Sequence, residues 1–158
     1  MVAARESQAT LAMPLPQPLP APVEIVVTAS KRATTFDYFA GAVSVVDLAS
    51  NSFKQAGPSG TDQLVDNLPM VDSTHLGPGR NKLFIRGIAD SSFAGPTQST
   101  VGQYFGDVRL NYNAPDPDLK LFDYARAEVL AGPQGSLYGA GSLGGILKLV
   151  PNMPNLDR

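Results

Sequence analysis

The sequence predicts an α+β fold, in which a small mixed β-sheet is joined to short helices by long loops. Hydrophobic residues make up 43% of the chain, which is enough to build a core. The 15 glycines and 14 prolines interrupt the apolar segments, so helices and strands must be short and loops frequent. Because the segments between these interruptions show both strand-like and helix-like patterns, we expect one mixed domain in the 158 residues.

Proline sets the first boundary along the chain. Residues 1–12 show no apolar period and no apolar core of a signal peptide, and we expect them to be disordered. The next segment, Met13–Pro22, has proline at every second position, which predicts an extended spacer of roughly 30 Å. It is either a plain linker or a spacer that holds a docking peptide away from the folded body. We therefore divide the chain into residues 1–22, 23–30 and 31–158.

A short β-prone segment, VEIVVTAS at Val23–Ser30, follows the spacer. Its β-branched run, Ile25–Thr28, favours extended structure. An apolar strand beside an exposed spacer suits pairing with the sheet edge of another protein. It also suits the first strand of this domain, and the two alternatives stay open at this point.

The folded body is predicted to begin near Ala42, with a strand over Ala42–Asp47. Asp47 is placed to cap a short helix, LASNSFKQ, that ends before Gly57. Thr61 is placed to cap a second helix, DQLVDNL, which Pro69 ends. Further strands are predicted at Met70–Thr74, Asn81–Arg86, Val101–Val108, Tyr124–Leu130 and Gly145–Val150.

Strand order predicts which turns share an end of the domain. If Met70–Thr74 runs upward, the turn His75–Arg80 lies at the top, and the returning strand places the loop Ala89–Thr100 at the bottom. The strand Val101–Val108 then rises and places the turn Asn111–Asp118 at the top again.

Composition excludes several classes of function. The net charge is −2 and no basic patch occurs, so nucleic acid is not an expected partner. The chain has no cysteine and a single histidine, His75, which leaves no ligand set for a zinc site. The acidic residues form no paired pattern and no G-x-S-x-G motif occurs, so we expect neither an enzyme nor a bound cofactor. No apolar run reaches the roughly 20 residues of a membrane helix.

The segment Gly139–Gly144 matches the dinucleotide-binding pattern G-x-G-x-x-G. That fingerprint requires a helix at its last glycine and an acidic residue about 20 positions later. Here the following GILKLVP reads as a strand ended by Pro151, and the sequence stops at Arg158. A flexible linker is also a poor fit, because Leu143 and Ile146 would expose apolar groups to water. We therefore expect a tightly folded, irregular connection whose glycines adopt positive φ angles.

Five motifs resemble, in order, those of one known family. VLAGPQGSLYGAGSLGGILKLV at 129–150 resembles the closing signature of the plug domain of TonB-dependent outer-membrane receptors. EIVVTASKR at 24–32 resembles the TonB box, and TDQLVDNLPMVD at 61–72 resembles the segment in which a helix ends in L-P-G-V. LFIRGI at 83–88 and QYFGDVRL at 103–110 resemble the I-R-G and Asp-Gly-Val motifs.

Four positions depart from the family pattern. Ala131 stands where the family usually has an arginine that is thought to pair with acidic groups of the barrel wall. Met70 replaces the usual glycine after Leu-Pro, Gly106-Asp107 reverses the usual Asp-Gly, and Lys148 replaces an asparagine. These changes leave the expected fold intact and bear on how the domain would be anchored to a barrel.

The resemblance implies a plug that occludes an outer-membrane barrel of about 22 strands, formed by the same or a separate polypeptide, with its N-terminus facing the periplasm. It also implies active uptake of a small nutrient or metal chelate, coupled to the C-terminal domain of TonB. A separate plug-like periplasmic binding or regulatory module is the alternative. The TonB box would add to TonB as a strand through Glu24, Ile25, Val26, Val27, Thr28 and Ala29.

Individual contacts follow from the resemblance together with the strand order. Arg86, Arg126 and Glu128 are expected to meet barrel residues, although Arg126 and Glu128 could instead form a local surface salt bridge. The two top turns would meet the substrate, although their residues are also ordinary turn formers. The predicted substrate contacts are His75, Arg80, Asn81, Asn111, Tyr112 and Asn113.

Overall fold

The computed structural model of the chain describes residues 24–50, 53, 60–77, 79–89, 97–113 and 115–156. Within these residues the main element is a five-stranded sheet. Its strands are β3 (Ala42–Asp47), β6 (Val101–Phe105), β7 (Val108–Arg109), β8 (Tyr124–Ala131) and β9 (Gly145–Pro151), and they lie side by side in the order β3-β8-β9-β6-β7.

Smaller elements lie on both faces of this sheet. Two antiparallel pairs of short strands are β1 (Val26–Val27) with β2 (Thr34–Thr35), and β4 (Val71–Ser73) with β5 (Leu83–Ile85). The described helical segments are a 3-10 turn at Phe36–Tyr38, α1 (Thr61–Asn67) and α2 (Gly135–Tyr138).

The sheet is mixed, because β9 runs parallel to β6 and antiparallel to β8. This arrangement confirms the predicted α+β fold. β3 occupies the predicted residues Ala42–Asp47, while β8 and β9 each extend one residue beyond their predicted ends. β8 is a central strand and is buried from Ala127 to Ala131, a span that includes the charged residue Glu128.

The larger core lies on the face of the sheet that carries Ala127, Val129, Leu147 and Leu149. Side chains from α1 and from the β4–β5 pair complete this core, including Leu64 of α1. The opposite face carries a second core built around Leu130 and Ile146, and the N-terminal residues of the described chain cover it.

The cap of α1 comes from a distant residue. Gly60 is the N-cap, so Thr61 is the first helical residue rather than the cap that the sequence predicts. Asp118 Oδ1 accepts hydrogen bonds from the Thr61 N–H at 3.2 Å and from the Thr61 hydroxyl at 3.3 Å. A carboxylate in this position stabilises the first turn of a helix. A side chain at residue 60 would collide with the same carboxylate, which explains the glycine.

A tight hairpin divides the segment that the sequence predicts as one strand, Val101–Val108. β6 and β7 are antiparallel, and Gly106 and Asp107 form the turn between them. Gly106 has a φ angle of 56°, as the first central residue of a type II′ turn requires. The reversed Gly-Asp order is therefore compatible with a hairpin, although it differs from the order usual in the family.

This hairpin corrects the predicted placement of two loops. The chain reverses at Gly106 and returns to the start of β6, where the Ser99 N–H donates to the Tyr112 carbonyl at 3.2 Å. Gln98 and Asn113 also form an antiparallel bridge. The prediction that residues 97–100 and 111–113 lie at opposite ends is wrong, because the Gly106-Asp107 turn reverses the chain within the segment predicted as one strand.

The glycine-rich segment connects the antiparallel neighbours β8 and β9. Backbone hydrogen bonds close it, from Gly132 N–H to Gly144 at 2.8 Å and from Gln134 N–H to Ser142 at 2.9 Å. The φ angles of Gly139 and Gly141 are 73° and 79°. A dinucleotide-binding crossover joins parallel strands, so that interpretation is excluded here, and the expected tight, irregular connection is confirmed.

Some predictions fall outside the described residues. These are the disordered start and the proline-rich spacer at residues 1–22, most of the helix predicted after Asp47, and the loop residues 90–96. Asp47 Oδ1 accepts a hydrogen bond from the Ala49 N–H at 2.9 Å, but residues 48–50 form a bend, so the helix predicted to begin directly after Asp47 does not begin there.

Candidate functional site

The N-terminal segment, defined here as Glu24–Thr35, folds back onto the sheet. β1 pairs with β2 across a turn in which Lys31 has a φ angle of 62° and donates its N–H to the Thr28 carbonyl at 3.1 Å. The side chains of Val27 and Ala29 are fully buried against the second core. The segment is therefore an integral layer of the domain in this conformation.

Glu128 of β8 holds this segment by its backbone. One carboxylate oxygen accepts the N–H of Thr28 at 2.8 Å and the N–H of Ala29 at 2.6 Å. The other oxygen accepts the Arg126 Nε at 2.7 Å and the Thr28 hydroxyl at 3.1 Å. Every partner is a donor, so an ionised carboxylate satisfies all of them at once.

Tyr138 and Lys148 hold the segment from its other side. The Tyr138 hydroxyl donates to the Ala29 carbonyl at 2.5 Å, and Lys148 Nζ lies 3.4 Å from the Thr28 carbonyl. The Lys31 ammonium lies 4.7 Å from the Tyr138 ring centroid, within cation–π range. Lys148 Nζ also donates to Asp107 at 3.2 Å, and this contact lowers the pKa of the Asp107 carboxyl.

Of the two alternatives that the sequence leaves open, the buried position of the segment corresponds to a first strand of the domain rather than an accessible docking strand. The β-branched run places Val27 in contact with an apolar sheet face that would otherwise be exposed to water, which favours packing over a free tail. Ile25 remains exposed at the entrance to the segment. This conformation has the geometry of the internal-strand alternative, and TonB binding by Glu24–Ala29 stays a prediction.

The three residues expected to meet a barrel lie in different environments. Glu128 is fully buried and engaged inside the domain, so it does not lie on a surface that another protein would contact. Arg126 is partly exposed and bonded to the buried Glu128, so this ion pair lies half inside the domain rather than on its surface. Arg86 is exposed, and its own φ angle is 54°.

Burial raises the pKa of Tyr138 to about 12, with nearby Tyr104, Asp107 and Glu128 adding to the effect. In the unfolded chain the phenol titrates near pH 10. The contribution of the neutral phenol to stability is therefore complete below pH 10 and is lost as the pH rises toward 12. The slope reaches about 1.4 kcal/mol per pH unit for one proton.

We expect Tyr138→Phe to flatten this alkaline loss of stability. At pH 8 the variant should be less stable by about 1 kcal/mol, because it lacks the hydrogen bond to Ala29. The difference between wild type and variant should shrink between pH 10 and pH 12, since phenylalanine does not titrate. Urea unfolding at a series of pH values measures both quantities, and a constant difference across the range would contradict the assignment.

The predicted substrate residues come together at one end of the domain, on two loops that touch. The Asp116 N–H donates to the Asn81 carbonyl at 2.8 Å, which joins the loop 74–82 to the loop 110–116. His75 and Arg80 are exposed on the first loop. Tyr112 and Asn113 are exposed on the second.

Two of the predicted substrate residues are not on this surface. The Asn81 amide is buried, accepts the Gly77 N–H at 3.0 Å and donates to Asp62 at 2.9 Å. The Asn111 amide is also buried, accepts the Gln103 N–H at 2.8 Å and donates to the Val101 carbonyl at 2.9 Å. Both amides hydrogen-bond to the chain itself, so Asn81 and Asn111 are corrected from contact residues to loop-supporting residues.

Sequence reasoning missed Asp116, whose carboxylate is buried where the loops meet. Burial raises its pKa, while hydrogen bonds from Leu83, Asn111 and Ser99 act in the opposite direction. Its only sequence signal is a position between two prolines, which marks a turn and does not indicate burial.

Two other kinds of site are absent from the described part of the chain. No group of three or more histidine, cysteine, aspartate or glutamate side chains there is arranged to hold a metal ion. No helix among the same residues is long and apolar enough to span a membrane.

Comparison with known proteins connects this geometry to a family. The sequence model of the TonB-dependent receptor plug domain matches residues 38–146. The pesticin receptor of Yersinia pestis is 32% identical over 137 residues, which cover 83% of this chain and 19% of that receptor. The chain therefore spans about a fifth of the length of this curated relative.

Solved structures show the same fold. The ferric yersiniabactin uptake receptor FyuA from Yersinia pestis superposes with a TM-score of 0.57 at 25% identity, over 73% of this chain and 17% of that chain. The ferripyoverdine receptor of the outer membrane of Pseudomonas aeruginosa superposes with a TM-score of 0.61 at 22% identity, over 82% of this chain and 16% of that chain. These similar proteins are receptors, which supports a function other than catalysis at the level of the family.

Proposed function

This chain belongs to the TonB-dependent receptor plug family, and we propose from this that it closes an outer-membrane β-barrel and takes part in active uptake driven by TonB. The barrel belongs to the same polypeptide or to a separate one. In this proposal the N-terminal segment faces the periplasm, and the loops that carry His75, Arg80, Tyr112 and Asn113 face the substrate.

Exposed apolar side chains support enclosure by a larger partner. Tyr38, Val108, Phe122 and Leu143 are large, apolar and exposed on the described surface. The interior wall of a barrel would cover such groups and stabilise the domain by binding to its folded state. Arg86 and the exposed part of Arg126 stay candidates for polar contacts with that wall, whereas Glu128 does not.

The observation that carries the coupling proposal is the pairing pattern of β1. The Phe36 N–H donates to the Ile25 carbonyl at 2.8 Å, so Ile25 and Phe36 form a hydrogen-bonded pair. In an antiparallel ladder such pairs alternate, so Val26 opposite Thr35 is a non-hydrogen-bonded pair. The backbone N–H of Val26 therefore points away from β2, toward the edge where a strand of TonB would add.

Adding a TonB strand along all of Glu24–Ala29 requires this segment to leave Glu128. The N–H groups of Thr28 and Ala29 already donate to the Glu128 carboxylate. TonB therefore competes with Glu128 for the same backbone donors. Release of the segment from the sheet becomes the step that couples TonB binding to movement of the plug.

We expect Val26→Pro to abolish binding of the TonB C-terminal domain, because proline removes a ladder donor on the outer edge of β1. The internal pairing with β2 should persist, since it does not use this N–H. A pull-down with the purified C-terminal domain of TonB measures the loss.

Thr34→Pro provides the matched control. It changes the partner strand β2 and leaves Glu24–Ala29 unaltered, so it should weaken the internal pairing while preserving or improving TonB binding. Undiminished binding by Val26→Pro, or an equal loss in both variants, would refute Glu24–Ala29 as the TonB box.

The uptake role is tested by finding what this chain is assembled with. Native mass spectrometry of the protein from its own outer membrane should show it joined to a barrel covalently or by docking. A chain found alone in the periplasm would instead support the binding or regulatory module. For the substrate we propose a ferric siderophore, the class that FyuA takes up, which the loop residues Arg80, His75 and Tyr112 would contact.

A further inference from the structure

The buried carboxylate of Asp116 lies where three loops meet. Its Oδ2 accepts the Leu83 N–H at 2.6 Å, at the end of the loop 74–82. Its Oδ1 accepts the Ser99 hydroxyl at 3.0 Å, from the segment 97–100. The same Oδ1 accepts the Asn111 Nδ2 at 2.5 Å, from the loop 110–116.

We infer that Asp116 is a positioning residue, which holds the loops 74–82 and 110–116 against each other and against the segment 97–100. The first two of these loops carry the exposed residues His75, Arg80 and Tyr112. This inference rests on the proposed function, in which those loops meet the substrate. Asp116 itself is 3% exposed, so it acts through its neighbours and does not touch the ligand.

The chemistry of the hydrogen bonds requires a carboxylate at this position. The Leu83 N–H, the Ser99 hydroxyl and the Asn111 amide nitrogen are all donors toward Asp116. An ionised carboxylate offers acceptors on both oxygens, whereas an asparagine would turn an NH₂ group toward at least one of these donors. A buried pair of facing donors is destabilising, because neither hydrogen bond is made.

Further contacts transmit this placement to the exposed side chains. The backbone N–H of Asp116 fixes the carbonyl of Asn81, the residue after Arg80. Asp116 orients the Asn111 side chain, and the backbone carbonyl of Asn111 accepts a hydrogen bond from Arg109 Nε at 2.6 Å. The Arg109 guanidinium in turn stacks on the Tyr112 ring at 4.5 Å from its centroid. A change at Asp116 therefore reaches both edges of the loop surface.

The test compares hydrogen exchange in the full 158-residue chain and in Asp116→Asn. The amides of Leu83, Ser99 and Asp116 should exchange about tenfold faster or more in the variant, in excess of any change in the amides of β8 and β9. Asp66→Asn is the matched control, because Asp66 is exposed on α1 and should leave the loop amides unchanged.

Two outcomes of this comparison are decisive. Loss of protection confined to the loops supports positioning by Asp116, and an equal loss across loops and sheet overturns it in favour of a general role in stability. If Asp116→Asn fails to fold, Ser99→Ala replaces it. That variant removes one of the three donors, and it should produce a smaller loss confined to the same loops.

A second measurement connects the loops to the substrate. Ferric yersiniabactin added to the wild-type chain should broaden the amide resonances of residues 79–82 and 111–113, because the iron is paramagnetic. Asp116→Asn should weaken this broadening several-fold. Equal broadening in a variant with loosened loops would overturn the positioning role. No broadening in wild type would count against the proposed substrate, while the exchange result would still decide the placement of the loops.

Discussion

Replacing Gly145 with alanine is expected to destabilise the domain by about 4 kcal/mol or more, a large part of the ~5–15 kcal/mol that stabilises a whole domain. Gly145 begins β9 with a φ angle of 144°, which side chains rarely adopt. A Cβ atom there would fall on the Leu130 carbonyl oxygen of β8 and 2.9 Å from Ile85 Cδ1. The backbone oxygen cannot move aside without breaking the β8–β9 ladder, which is the centre of the sheet.

Two other glycines of the same segment separate the causes of this effect. Gly139 has a φ angle of 73° but open space around its missing side chain, so Gly139→Ala should cost about 1–3 kcal/mol from backbone strain alone. Gly135 has neither constraint and begins α2, so Gly135→Ala should be neutral or stabilising by up to about 1 kcal/mol. Urea unfolding of the three variants measures the series. Equal effects at Gly145 and Gly139 would show that the close approach to Leu130 is unimportant.

Local sequence patterns predict the sheet well where a predicted segment forms a single uninterrupted strand. The segment Ala42–Asp47 and the strands on either side of the glycine-rich connection could be found, because apolar β-branched residues end at clear turn signals. The hairpin at Gly106 is hard to predict because its second strand has only two residues, Val108–Arg109, although Gly106-Asp107 is a two-residue hairpin signal. That single reversal brings residues 97–100 beside residues 111–113, which the sequence pattern places at opposite ends.

The site was harder to predict, because its contacts join residues that lie far apart in the chain. Glu128 and Ala29 are 99 positions apart, and Asp116 and Leu83 are 33 apart. A sequence shows that a residue carries a charge or an amide, but it does not show which donors lie near it in the fold. This is why Glu128 was assigned to the surface and Asn81 and Asn111 to the substrate.

Glu128→Gln is expected to loosen the N-terminal segment by about 2–4 kcal/mol. The carboxylate accepts two backbone N–H groups on one oxygen and the Arg126 Nε on the other, so an amide NH₂ must face donors on one side. Partial exposure of Arg126 reduces the electrostatic share of this loss. Glu24→Gln is the matched control, since Glu24 is exposed and the amide oxygen of the substituted glutamine can still accept a hydrogen bond from the Thr35 hydroxyl.

A loosened N-terminal segment should be detected first as faster proteolytic cleavage of that segment. Lys31 and Arg32 lie in the turn of the segment, and trypsin should cut there faster in Glu128→Gln while the urea midpoint of the sheet changes less. Glu24→Gln should behave like wild type in both measurements.

The same change should strengthen TonB binding, because the competent, released state becomes more populated. Each 1.4 kcal/mol of weakened docking raises the apparent affinity about tenfold, until the released state predominates. Isothermal titration with the TonB C-terminal domain measures the gain. Glu128→Gln combined with Val26→Pro should remain unable to bind, because release does not restore the missing ladder donor. Faster cleavage without tighter TonB binding would mean that the segment opens but is not what TonB recognises.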